Sequence, residues 1–117
     1  MPSLLVDNAL SPHGGKLVER VLAPEKVLDQ ISGLKSIPVR GQIATECIDI
    51  AYGFFSPLEG FMGRADVDSV AREMRLVSGY VWSVPVIFDL SDDEIKEQGL
   101  KDGETLLLTH QGQPLAT

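Results

Sequence analysis

Cysteine, histidine and positive charge are all scarce in this chain of 117 residues. A single cysteine, Cys47, excludes an internal disulfide and fits a reducing compartment, so a cytoplasmic protein is expected. The only two histidines, His13 and His110, stand 97 positions apart, which leaves a zinc site short of convergent ligands. Ten basic residues against seventeen acidic ones give a net charge of -7, unfavourable for binding a phosphate backbone. Long apolar runs are missing as well. The stretch from Val81 to Phe88 is broken by Ser83 and Pro85 and falls far short of the roughly 20 residues a membrane span needs. The N-terminus has no basic residue followed by a sustained apolar run, so no secretory signal is read.

What is present is an ordinary globular composition, 44% hydrophobic and 23% charged. The length suits one domain, which would bury roughly two-thirds of its unfolded surface. Apolar mass is densest in Phe54-Phe55-Ser56-Pro57-Leu58-Glu59-Gly60-Phe61-Met62. Neither Pro57 nor Gly60 suits a helix interior or a central strand, so the stretch reads as a buried turn. Pro57 is expected to hold Ser56 extended, and Gly60 to supply a backbone angle other residues resist.

Two amphipathic helices are expected to bracket that turn. Ile43, Cys47, Ile50, Ala51 and Phe54 form one apolar stripe ending near Gly53. Beyond the turn, Asp66 is placed as the cap of a helix whose stripe is Val67, Val70, Ala71 and Met74. Earlier in the chain, residues 1–15 read as an extended arm with a turn at His13-Gly14-Gly15. Lys16 to Leu22 fits a short strand or a helical turn equally well. Pro24 opens a short helix carrying Val27, Leu28 and Ile31 and stopping at Gly33, and Ile37-Pro38-Val39 reads as an edge strand. Later, Val84 to Phe88 is strand-like, and Ser91-x-x-Glu94 is a capping box for a helix that Gly99 ends. Thr105 to Thr109 is a strand, turning at His110-Gln111-Gly112-Gln113 toward Pro114-Leu115-Ala116. Stopping at Thr117 would leave half a hairpin, so the chain is expected to be a segment of a longer protein.

The search for chemistry finds no catalytic, cofactor-binding or metal-binding residue. Cys47 on an apolar stripe implies an inert, buried thiol. Gly14-Gly15-Lys16 lacks the spacing of a phosphate-binding loop. Seven acids against two lysines between Asp89 and Glu104 describe a solvated face, and Asp92, Asp93 and Glu94 suit a helix N-terminus better than a cation. Tyr80 and Trp82 lack the basic neighbours of a base-stacking platform, and packing explains them better.

Four ordered motifs nevertheless resemble one family. Pro12-His13-Gly14-Gly15-Lys16-Leu17 resembles the opening of ATP sulfurylases (sulfate adenylyltransferases), and Phe55 to Met62 is similar to their N-terminal signature. Glu73-Met74-Arg75-Leu76 with Gly79, Trp82 and Pro85 continues the pattern, and Gly103-Glu104-Thr105-Leu106 with Gly112-Gln113-Pro114 resembles a later hairpin. The resemblance covers residues 12–117. It implies an α+β fold, a PUA-like pseudo-barrel of short mixed strands with peripheral amphipathic helices. It also implies that 1–117 is the N-terminal domain of a longer chain, with a catalytic nucleotidyltransferase domain after residue 117. The family joins MgATP and sulfate into adenosine 5'-phosphosulfate and pyrophosphate, or runs the reverse. Its Gln-x-Arg-Asn and His-x-x-His motifs are absent here, so the resemblance carries no catalytic residue onto this chain. The partners it implies are the chain's own catalytic domain, sulfate and ATP at that domain, and further copies in a homo-oligomer. No cofactor is expected on this segment, with MgATP serving as substrate of the full enzyme. The alternative is a stand-alone PUA-like module binding RNA or protein.

Overall fold

The computed structural model describes residues 11–117. The first ten residues of the expected arm lie outside the described residues. Four helices and three strands follow in the order α1 (Pro24–Ile31), β1 (Lys35–Pro38), α2 (Gly41–Ala51), α3 (Arg64–Glu73), α4 (Asp92–Gln98), β2 (Leu106–His110) and β3 (Gln113–Ala116). The architecture is α+β. The sheet is open, with β1 parallel to β2 and β2 antiparallel to β3. Pro38 does sit on an edge strand, where its missing amide costs no ladder bond. A register shift between Leu108 and Thr109 brings Thr109 opposite Pro114 and His110 opposite Gln113.

Two apolar clusters form the core. One gathers Ile50, Leu58, Met62, Val70, Leu76 and Val86; the other joins Ile37 and Leu108 of the sheet to Ile43 and Cys47 of α2. Helix α2 serves both because its stripe at spacings of 4 and 3 winds from one cluster to the other. Phe61 packs against both clusters, so the aromatic turn closes the space between them. It also lies against Phe88, with ring centroids 5.7 Å apart.

Several local expectations change. Gly63, not Asp66, precedes the first residue of α3, and Asp66 sits in the first turn, where its carboxylate accepts from the Val77 amide at 2.9 Å. An acid there gains from the helix dipole while tying down the following loop. Met74 lies past the helix in a left-handed conformation, so its side chain leaves the stripe and is exposed. Helix α2 likewise stops at Ala51, which puts Phe54 outside the core at 78% exposure. The turn is therefore buried at Ser56, Leu58 and Met62, and half-buried at Phe55 and Phe61. Gly60 has open space around it, whereas Gly53 takes the unusual angle, with φ +85°. Val84–Phe88 forms no strand. A backbone bond from the Met62 amide to the Val86 carbonyl at 2.8 Å ties it to the aromatic turn.

Other elements follow the local rules directly. Ser91 and Glu94 form the capping box, with the Glu94 amide donating to Ser91 Oγ at 3.1 Å and the Ser91 amide donating to Glu94 Oε2 at 2.8 Å. Gly99 closes α4 in the left-handed region, and Gly33 (φ +78°) follows α1.

Candidate functional site

Residues 16–22, open between strand and helix in sequence, are neither. This segment crosses the end of α2 and the aromatic turn. The Val18 amide donates to Ser56 Oγ at 2.9 Å, and Ser56 Oγ donates to the Gly53 carbonyl at 2.7 Å. The Arg20 amide donates to the Ala51 carbonyl at 2.8 Å, and its guanidinium reaches the Glu59 carbonyl. A Cβ added at Gly53 would stand 2.3 Å from the Val18 carbonyl, so this approach requires glycine.

The His13-Gly14-Gly15 turn docks on the same surface. A Cβ at Gly14 would lie 2.6 Å from Pro57 Cβ, so the glycine here makes room for a proline ring and not for a phosphate. His13 Nε2 donates to the Val81 carbonyl at 2.7 Å. Its ring stacks on Trp82 at 6.2 Å and meets Tyr80 edge-on at 5.7 Å, while Phe55 meets Trp82 edge-on at 6.0 Å. Three motifs that are distant in sequence, around residues 12–17, 55–62 and 73–85, thus form one contiguous surface. Trp82 is half-buried at its centre, with the His13 imidazole beside it.

Beside Trp82 opens a cleft of about 430 Å³, walled by Phe55, Val81 to Val86 and Glu46. Apart from Glu46 and Ser83 its wall side chains are apolar. The Oε2 atom of Glu46 is buried and has no hydrogen-bond partner among the described residues. Sequence inspection passed over Glu46, although a signal existed. It lies three positions after Ile43 and four before Ile50, so a carboxylate stands on the rim of the α2 stripe.

The remaining candidates fall into structural roles. Cys47 is buried in the sheet-side cluster, and burial, reinforced by the neighbouring Glu46, pushes its thiol above the ordinary range. His110 stays at the end of β2, where Nδ1 donates to the Val39 carbonyl at 3.0 Å. Asp92, Asp93 and Glu94 fill the first turn of α4. In the acidic stretch, the carboxyl of Glu104 is held below the usual carboxylate range by the Lys101 amide and then by Lys35, 3.2 Å away. Among the described residues no group of three or more His, Cys, Asp and Glu side chains is arranged to hold a metal ion. No described helix is long and apolar enough to cross a membrane.

A family model described as "PUA-like domain" matches residues 10–117. The chain belongs to the PUA-like domain family. Its curated relatives include the sulfate adenylyltransferase of Archaeoglobus fulgidus, 37% identical over 118 residues that cover 91% of this chain and 26% of that protein. The sulfate adenylyltransferase of Synechococcus sp. (strain JA-3-3Ab) is 40% identical over 108 residues, covering 88% of this chain and 26% of the relative. The hexameric APS kinase from Thiobacillus denitrificans matches in structure with a TM-score of 0.77 at 29% identity, over 91% of this chain and 22% of that one. This PUA-like chain spans about a quarter of the length of the curated relatives it matches.

Proposed function

We propose that this chain is the N-terminal, non-catalytic domain of a sulfate adenylyltransferase, and that it supports the domain where MgATP and sulfate react. The observation that carries this reading is the match itself. Nearly all of this PUA-like chain aligns with about a quarter of each sulfate adenylyltransferase, leaving the larger part of those enzymes to hold the reacting groups. Transferring an adenylyl group between two polyanions calls for preorganised positive charge, and this chain carries -7.

The surface supports a scaffolding role. Among the described residues, fourteen large apolar side chains are exposed, an apolar surface that a larger assembly would cover. Leu28 (75%) and Phe54 (78%) are the most exposed of them. The likeness to a hexameric protein supports self-association of the full enzyme.

The test has two arms. The isolated chain is assayed for sulfate-dependent pyrophosphate release, and the full-length enzyme lacking it is examined for folding and activity. The reading expects no turnover from the first and loss of folded, active enzyme from the second. Turnover by the isolated chain would sink it. A gel shift with RNA at low salt addresses the binding-module alternative, and no shift is expected from an acidic surface.

A further inference from the structure

The cleft beside Trp82 combines three features that point to one occupant. Its walls are apolar, one of them is an indole, and its single carboxylate has a buried oxygen without a partner among the described residues. The Glu46 side chain is half-buried, and its shielded Oε2 is placed for a cation entering the cleft to pair with it. An arginine matches better than a lysine. Its guanidinium is planar and weakly hydrated, it stacks on aromatic rings, and its stem suits apolar walls.

We propose that this cleft receives an arginine side chain from the catalytic region of the enzyme, with its guanidinium paired to Glu46 and its stem lying along Trp82 and Phe55. The assignment rests on the scaffold reading above. Charge complementarity selects the source, since a region that handles sulfate and MgATP must be rich in cationic groups and this domain is net acidic. The Glu46–Trp82 cleft is then a docking point that orients the two domains, and it has no part in the chemistry.

Trp82 is the only tryptophan, so its emission reports on this cleft alone. The 117-residue chain is titrated with N-acetyl-arginine amide and, in parallel, with the uncharged isostere N-acetyl-citrulline amide. The expected result is a saturable change in Trp82 emission with the arginine probe, roughly tenfold weaker with citrulline and in Glu46→Gln. Glu46→Gln should also melt no lower than the parent chain, because it breaks no bond within it. Absence of saturation, or equal response to the two probes, would overturn the proposal. So would a lower melting temperature in Glu46→Gln, which would reveal a partner for Glu46 inside the chain. A parent chain that sediments as a dimer while Glu46→Gln sediments as a monomer would move the arginine to a second copy and overturn the catalytic-region assignment. The two readings fail separately. An inactive isolated chain that ignores the arginine probe leaves the scaffold standing and removes only the docking point.

Discussion

The amide of Val18 donates to the hydroxyl of Ser56 across 38 positions of sequence, at 2.9 Å. The same hydroxyl donates to the Gly53 carbonyl, so one buried side chain holds both the turn it belongs to and a segment with no secondary structure of its own. Ser56→Ala leaves the Val18 amide without its acceptor and is expected to destabilise the chain by about 1–3 kcal/mol. Chemical denaturation measures that loss. Faster hydrogen exchange at Val18 and Arg20, with α4 unchanged, would show that the segment has been released.

Gly53 is where that segment comes closest. Gly53→Ala must accommodate both φ +85° and a Cβ placed 2.3 Å from a backbone oxygen. Gly79→Ala, at φ +96° with nothing within 4 Å, meets the conformational penalty alone. The second should cost about 1–2 kcal/mol and the first clearly more. Paired thermal melts check the order, and equal losses would mean the crowding at Gly53 relaxes freely.

Phe61 packs on both clusters but is only half-buried. Phe61→Ala should therefore fall at the lower end of the range for such truncations, about 3 kcal/mol. Against a total of roughly 5–15 kcal/mol this is a large fraction, visible as a lower denaturant midpoint.

Cys47 is held as a buried thiol, with its pKa raised chiefly by burial. A disulfide-exchange reagent at neutral pH should label it more than about tenfold more slowly in the native chain than in the unfolded one. Because the folded pKa is raised, its contribution to stability is complete below the unfolded thiol pKa and fades as pH rises through the folded value.

Glu104 titrates with the opposite sign. Its folded pKa is lowered by the Lys101 amide first and Lys35 second, so its contribution is present above the usual carboxylate value and disappears as pH falls through the folded one. Glu104→Gln should make acid unfolding slightly less steep below about pH 4.3. The effect is small because the pair is solvated.

Much of this domain is legible in its sequence. The stripe of α2, the capping box at Ser91, the stop at Gly99 and the turn from His110 to Gln113 are local matters of periodicity and backbone preference, which a sequence states directly. The motifs resembling sulfate adenylyltransferases pointed to the PUA-like domain that the family model matches, and Cys47 on its stripe was rightly read as buried. Tertiary packing decided the rest. Phe54 has the same hydrophobicity as Phe55, and only the end of α2 at Ala51 turns one outward and the other toward Trp82. Val84 to Phe88 has strand composition, yet among the described residues no strand pairs with it, and composition cannot create a partner. Gly53, and not Gly60, bears the demanding angle because a chain segment 35 positions earlier comes to lie against it. The unpartnered oxygen of Glu46 belongs to this second class. Sequence places the residue at the rim of an apolar stripe, and only the fold closes Trp82 and Phe55 around the cleft it faces.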